Sequence, residues 1–278
     1  MTQKNARGRF LTILFSIISV LYVLPIVIIL VNSFKKKAYI SKSPFTLPSG
    51  KMFVGFENYT QGIEKTQFFS SLFWSVFITV GSVAVIILCT SMCAWYLVRS
   101  NSLFCRALYL VFVFSMIVPF QMVMFTLSKT ADSLGLNTPW GIIIIYLGFG
   151  AGLAVFMFSG FVKAVPVEIE EAALIDGCSP VQTFFRVVFP ILKPTCISVA
   201  ILETMWIFND YLLPYLVLDI RKYKTIPIAI QYLRGGYGSI DMGAMMAMLV
   251  LSVIPIIIFY LSLQKYIIKG VVAGAVKG

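Results

Sequence analysis

Six long apolar segments constrain the fold of this chain more than any other feature of its sequence. They cover about residues 10–32, 72–98, 107–127, 140–160, 195–218 and 242–263. Each is long enough to cross a hydrocarbon layer of ~30 Å as a helix, and a backbone in lipid must satisfy its own hydrogen bonds. The segments therefore predict an all-α integral membrane protein, with six transmembrane helices in a single domain spanning residues 1–278.

The composition narrows the chemistry that such a protein can perform. Hydrophobic residues make up 59% of the chain and charged residues 12%, whereas soluble domains carry about 25% charged residues. The chain has no histidine, and its five cysteines form no C-x-x-C pair. Histidine is the commonest general base and metal ligand, so we expect no catalytic residue and no metal site, and we interpret the cysteines as small core residues.

Positive charge is spread over both sides of the six predicted spans. The net charge is +11, and because Lys and Arg residues flank the apolar segments we expect membrane lipid, and no nucleic acid, as their partner. An N-terminus on the inner side would place eleven of the 22 Lys and Arg residues in inner segments and eleven in outer ones. The bias that usually sets orientation therefore leaves it open here.

The loop at residues 165–190 interrupts the apolar pattern with helix signals of its own. Pro166 suits a first helical turn, and Gly177 suits the left-handed position that follows a helix. Ser179 fits the N-cap of a second helix, which should stop at Pro190. We therefore expect two short helices joined at Gly177. Two interpretations stay open: a surface loop folded back onto its own bundle, and a docking element for a separate protein.

Three polar residues, Glu203, Asn209 and Asp210, lie within the fifth apolar segment. Ionisable groups in a membrane span are costly, and they usually face the interior of a bundle or a water-filled path. One interpretation is a structural hydrogen bond between spans. The other is that Asn209 and Asp210 line a path through the membrane.

The loop also carries a motif that resembles a known family. Glu171-Ala172-Ala173, three residues, Gly177, nine residues and then Val187-x-Phe189-Pro190 are similar to the E-A-A-x3-G-x9-I-x-L-P motif of ABC-importer permeases. Two positions differ, each apolar for apolar. Further stretches resemble the shorter permease subunit of maltose-type and multiple-sugar importers: VGFENY, FNDYLLPYLVL and the ending QKYIIKGVVAGAVKG.

This resemblance implies a fold like that of type I ABC importers, with a cytoplasmic two-helix coupling loop. It implies that one set of loop residues contacts the ATPase: Glu170, Glu171, Ala172, Ala173, Asp176, Gly177 and Pro190. Gly274 and Lys277 in the tail are implied as further ATPase contacts. It also implies a multi-pass protein of the bacterial inner or plasma membrane, with both termini in the cytoplasm.

The implied function is that of a transmembrane permease subunit of an ATP-driven, binding-protein-dependent sugar importer. The implied partners are a second, larger permease subunit, two ATP-binding subunits and an extracytoplasmic sugar-binding protein. The sequence has no G-x-x-x-x-G-K-[ST] pattern, so we expect no cofactor on this chain, and ATP and Mg²⁺ on the partner ATPase. Two alternatives remain: an ABC permease for a non-sugar solute and, less favoured, an ion-driven secondary transporter that uses Asp210.

Overall fold

A computed structural model of the chain describes residues 2–100, 102–233 and 240–275, with side chains described between residues 8 and 266 outside the same gaps. The first half contains α1 (Thr2–Ser33), α2 (Lys37–Lys42), α3 (Glu57–Thr66), α4 (Phe68–Arg99), α5 (Leu103–Ser115), α6 (Phe120–Ser133) and α7 (Pro139–Val162). The second half contains α8 (Val167–Ile175), α9 (Pro180–Thr183), a π-helix (Phe184–Val188), α10 (Phe189–Ile191), α11 (Lys193–Asn209), α12 (Leu212–Val217), α13 (Ile226–Gln231) and α14 (Met242–Ala275). No β-strand occurs in the described ranges, so the predicted all-α class is confirmed.

Four described helices are long and apolar enough to cross a membrane: Gly8–Ser33 of α1, all of α4 and α7, and Met242–Tyr266 of α14. Two further pairs reach that length only when taken together. α5 and α6 meet at a bend of 103°, and the helical stretch Pro180–Ile191 meets α11 at 74°. The described residues therefore contain four candidate transmembrane helices, or up to six if each bent pair forms one span.

Proline and extended backbone produce the breaks in these helices. Pro119 stands directly before α6 with extended backbone angles, φ −64° and ψ 135°, and a proline also disfavours helical angles in the residue before it. The predicted segment 107–127 therefore falls across the bend between α5 and α6. Asp210 likewise has extended angles, φ −71° and ψ 127°, so the predicted segment 195–218 falls across α11 and α12.

The chain divides into two compact units, and unit 1 comprises Met1–Ser70 with Ala229–Ile257. Within it, the side chain of Lys35 is fully buried, and its Nζ donates to the carbonyl oxygens of Ser43 and Pro44 at 2.8 and 3.2 Å. Burial lowers the pKa of Lys35. Lys65 Nζ lies 2.6 Å from Asp241 Oδ2. The Lys35 contacts hold the backbone of residues 43 and 44 close to the end of α1.

Unit 2 comprises Ser71–Ile228 with Ile258–Gly278 and is built around α7. α7 packs against α5 and α11, and 61% of its most apolar stretch is buried. Ile142, Tyr146 and Phe158 from α7 are fully buried in this core. The ends of α4, α5 and α7 and the helices α8 to α11 all belong to this unit, so the loop at residues 165–190 and the core beside it are parts of one compact unit.

Candidate functional site

The loop at residues 165–190 forms two short helices with a defined cap at each inner end. α8 ends at Ile175, and Gly177 has φ +85°. Gly177 N donates to Leu174 O and Cys178 N donates to Ala173 O, both at 3.0 Å, which is the Schellman closure of a helix. The prediction of a left-handed glycine at this position is confirmed. Nothing lies within 4 Å of a Cβ added at Gly177, so there is room for a side chain. The turn therefore needs glycine for its positive φ and not for lack of space.

The second helix begins with a capping box. Gln182 N donates to Ser179 Oγ at 3.3 Å, and Ser179 N donates to Gln182 Oε1 at 2.9 Å, so two backbone donors at the helix start are satisfied. The predicted N-cap at Ser179 is confirmed. Because both inner ends are capped by local contacts, the helix pair has a set geometry before any partner binds.

The second helix does not stop at Pro190 as the sequence suggested. It widens into the π-helix Phe184–Val188 and continues through α10 to Ile191. Pro190 is exposed and lies in α10, where it has no N–H to donate to the turn before it. Phe184 and Val188 are fully buried, so the π-helix holds this stretch on the core of unit 2.

Glu170 of α8 is fixed to the end of α4 by a group of charge-assisted hydrogen bonds. Arg99 donates to Glu170 Oε1 from Nη2 at 2.6 Å and from Nε at 3.0 Å. Trp95 Nε1 donates to Glu170 Oε2 at 2.9 Å. Arg99 Nη2 also donates to Val165 O at 2.9 Å, just before α8. The pair is mostly shielded from solvent, with side-chain exposures of 20% for Arg99 and 8% for Glu170.

Sequence reasoning missed Arg99 and Trp95. The signal available was an arginine at the end of an apolar segment with a tryptophan one turn before it, and neither residue belongs to the loop motif. The Trp95 ring also lies 5.5 Å, centroid to centroid, from the ring of Phe184. α4 therefore contacts both helices of the loop, one through a carboxylate and one through an aromatic ring.

The opposite face of the helix pair is exposed. Glu171, Ala172, Asp176 and Gly177 are exposed, whereas Ala173 is buried against the unit. Beside them Ile175 is 85% exposed, and Leu174 and Val181 are also solvent-accessible. The structure thus separates the predicted loop residues into an anchored set, Glu170 and Ala173, and an exposed set. The anchored face agrees with a loop folded back onto its own bundle, while docking of a separate protein on the exposed face stays a prediction.

The three polar residues of the fifth segment have three different surroundings. Asp210 Oδ1 accepts from the backbone N–H groups of Leu212 and Leu213 at 2.9 and 3.4 Å, and Asp210 Oδ2 accepts from Tyr146 Oη at 3.0 Å. Asn209 is exposed, and its Nδ2 donates to Met205 O of the same helix at 2.7 Å. Glu203 is buried, and its Oε2 has no hydrogen-bond partner within the described residues.

The remaining candidate positions lie at the C-terminus. Gly274 falls in the last turn of α14, where the backbone alone is described, and Lys277 lies outside the described residues. Among the residues that the structure describes, no group of three or more His, Cys, Asp or Glu side chains could hold a metal ion.

Comparison with known proteins gives consistent matches along the chain. Residues 86–272 match the family model described as "Binding-protein-dependent transport system inner membrane component". A "Probable starch degradation products transport system permease protein" of Thermoanaerobacterium thermosulfurigenes is 35% identical over 277 residues, which covers 100% of both chains. A "Multiple sugar-binding transport system permease protein" of Streptococcus mutans is 32% identical over 270 residues, which covers 95% of both chains.

A solved structure has the same fold. It is a chain of a bacterial ABC transporter involved in the import of the acidic polysaccharide alginate, with a TM-score of 0.78 over 96% of this chain and 98% of that chain. The sequence identity is 21%, so the likeness is one of fold.

Proposed function

The chain belongs to the family of binding-protein-dependent transport system inner membrane components, and from this premise we propose that it is the permease of a sugar importer driven by a separate ATPase. As a permease subunit it spans the membrane several times. The proposed complex contains a second, larger permease subunit, two ATP-binding subunits and an extracytoplasmic sugar-binding protein. ATP and Mg²⁺ are used on the ATP-binding subunits.

The observation that carries the proposal is the exposed face of the helix pair. A self-capped pair of helices is anchored to α4 on one side and presents Ile175, Leu174 and Val181 on the other. An exposed apolar tip with acidic neighbours is typical of a docking surface, because burying such side chains against a partner is favourable. We assign this surface to an ATP-binding subunit, with Glu171, Ala172, Asp176 and Gly177 at the contact and Pro190 beside it.

The contacts behind that surface support a path for mechanical coupling. When the ATP-binding subunits close, force applied to α8 would act on Glu170 and, through its hydrogen bonds to Arg99 and Trp95, on α4. The π-helix would carry the same force into α11. The bundle alternates between states open to either side, and the chain forms half of the translocation path. Gly274 and Lys277 are proposed as further contacts with the ATP-binding subunits.

The same assignment sets the proposed orientation. Contact with a cytoplasmic ATPase requires α8 to be cytoplasmic, so both termini are cytoplasmic in a bacterial cell membrane. Of the two residues suggested for the solute path, Asn209 is the better candidate, because its side chain is exposed and its amide donates to a carbonyl of its own helix. Asp210 is held by the cap of α12 and by Tyr146.

Sugar as the solute is supported by the names of two relatives, which refer to starch degradation products and to multiple sugars. The alternative within the family is a non-sugar solute, since docking on an ATPase is independent of the solute carried. An ion-driven carrier is disfavoured because it would leave the exposed tip of α8 without a purpose.

The test is ATP hydrolysis in lipid by the complex of this chain with its permease and ATPase neighbours. We expect stimulation by a binding protein loaded with one sugar from a panel that also includes peptides and polyamines. Ile175→Ser and Ala172→Asp should reduce copurification of the ATPase subunit about tenfold, which corresponds to the loss of roughly one buried apolar contact. Leu103→Ser, at a similarly exposed leucine on α5, is the matched control. Undiminished copurification by both loop variants would refute the docking assignment.

A further inference from the structure

A cavity in unit 2 has a described lining that includes no residue of the loop at residues 165–190. It has a volume of about 380 Å³ and is placed where the ends of α4 and α7 meet the start of α5. Small-molecule sites occupy about 300–1,000 Å³. The proposed transport function assigns no role to this cavity or to the side chains that line it.

Two cations line the cavity, Arg106 from α5 and Lys163 from the end of α7. Lys163 Nζ lies 5.6 Å from the centroid of the Tyr109 ring, which forms another part of the lining. None of the described lining residues is an Asp or a Glu. The cavity therefore has a net positive charge, and its chemistry favours an anion.

A buried hydroxyl in the lining points to a ligand independently of the charges. Ser159 lines the cavity, is 1% exposed, and its Oγ has no hydrogen-bond partner within the described residues. A buried hydroxyl without a partner is unfavourable. An anionic oxygen bound between Arg106 and Lys163 would provide the missing acceptor for Ser159.

The apolar part of the lining indicates which kind of anion fits. Leu97 and Leu110 line the same cavity, and Leu110 is largely exposed on α5. The cavity lies at the ends of α4 and α7, which are both long and apolar enough to cross a membrane. In a bilayer we therefore expect it near the depth of the headgroups, where tyrosine is enriched. A ligand with a phosphate and attached hydrocarbon matches both kinds of lining.

We propose that this cavity binds the phosphate of an anionic phospholipid, with Arg106, Lys163 and Ser159 as its ligands. The inference does not depend on the solute or on the ATPase assignment, because it rests on contacts within unit 2. A free phosphate monoester would offer the same anionic oxygens to these residues. The experiment below therefore compares a phospholipid with a free phosphate monoester.

The test is native mass spectrometry of the full chain in detergent, titrated with phosphatidylglycerol, phosphatidylcholine or glycerol 3-phosphate. We expect one tightly bound phosphatidylglycerol, with affinity at least tenfold above that for phosphatidylcholine. Arg106→Gln and Lys163→Gln should each lower the phosphatidylglycerol affinity about fivefold, the effect expected for one basic residue near an anionic surface. Ser159→Ala should also weaken binding.

Lys193→Gln is the matched control, because Lys193 is an exposed cation at the start of α11 that does not line the cavity. It should leave the affinity unchanged, and unchanged phosphatidylcholine binding in every variant shows that the chain is folded. Equal binding of both lipids, or an equal loss in Lys193→Gln, would overturn the site. Competition by glycerol 3-phosphate at the same affinity would overturn its assignment to a lipid.

Discussion

Replacing Arg99 should cause the largest electrostatic loss of stability in this chain. Arg99 neutralises Glu170, whose side chain is 8% exposed, and it also binds Val165 O. Removing one member of a largely buried ion pair leaves the other charge without compensation. Arg99→Ala should therefore lower the free energy of unfolding by about 3 kcal/mol and reduce the ATPase stimulation of the complex.

Chemical denaturation of the purified variant measures this loss, and two further variants test its cause. Glu168→Gln, at an exposed acid of the same helix, should leave stability unchanged. The double variant Arg99→Met with Glu170→Met removes both charges, so it should recover most of the stability. An equal loss in the single and double variants would mean that the ion pair is not the cause.

The effect of replacing Gly177 should depend on the backbone angles that the new residue prefers and not on the size of its side chain. The φ of +85° at Gly177 is disfavoured for side chains, while the space around it is open. Asn tolerates left-handed angles and Val does not, the strain being on the order of 1–2 kcal/mol. Uptake at equal abundance should therefore decrease in the order Gly177, Gly177→Asn, Gly177→Val.

Gly160 provides the comparison for this series. It is also an exposed glycine with no atom within 4 Å of an added Cβ, but it lies inside α7 without a positive φ. Gly160→Ala should keep full uptake. If Gly177→Val transported as well as Gly177→Asn, the left-handed turn would not be needed for coupling.

At the scale of elements, the break between α11 and α12 depends on Asp210. Its carboxylate accepts from two N–H groups at the start of α12 and from Tyr146 of α7. Asp210→Ala should reduce stability by about 1–2 kcal/mol, whereas Asp210→Asn keeps an acceptor for α12 and should lose less.

Thermal unfolding and uptake of these two variants separate the two interpretations of Asp210. Stability loss in Asp210→Ala with near-normal uptake by Asp210→Asn supports a structural role. A stable Asp210→Asn that fails to transport would instead put the carboxylate in contact with the solute.

The elements differ in how far the sequence could predict them. The caps at Gly177 and Ser179 are local features, so residue type and spacing were sufficient to predict them. The contact between Arg99 and Glu170 joins residues 71 positions apart in the chain, and the buried Phe184 of the π-helix packs on Trp95 of α4. No local pattern encodes such contacts, and the resemblance therefore groups Glu170 with the ATPase-contacting residues although its side chain is buried on the core of unit 2.

At the scale of the whole chain, Lys65 and Asp241 join segments 176 residues apart within unit 1. Desolvation raises the pKa of Asp241, but hydrogen bonds from Lys65 and Ala244 and the charges of Lys65 and Lys37 outweigh it and lower that pKa below its ordinary 3.8. When the pKa of a carboxyl is lower in the folded state than in the unfolded state, the carboxyl stabilises the fold fully at pH values above its unfolded-state pKa. This stabilisation is lost as the pH falls through the folded-state pKa.

We therefore expect wild type to exceed Asp241→Asn in thermal unfolding temperature at pH 6, with the difference disappearing near pH 3. Unfolding of both proteins across this range measures the effect. Lys65→Gln should also reduce the pH dependence, because the main partner of Asp241 is lost. A difference between wild type and Asp241→Asn that is the same at pH 6 and pH 3 would contradict the assignment.

The π-helix has a consequence for how this chain can change during evolution. A π turn takes up one residue more than an α turn does, so deleting one residue from Phe184–Val188 would give an α-helix and leave the stretches on either side nearly in their present orientation. A deletion in the regular helix α8 has no such turn to absorb it, and it would rotate the residues before it by about 100° relative to those after it. Between Glu170 and Ile175, such a deletion would turn Glu170 away from Arg99. Selection should therefore tolerate a one-residue deletion in the π-helix better than one in α8.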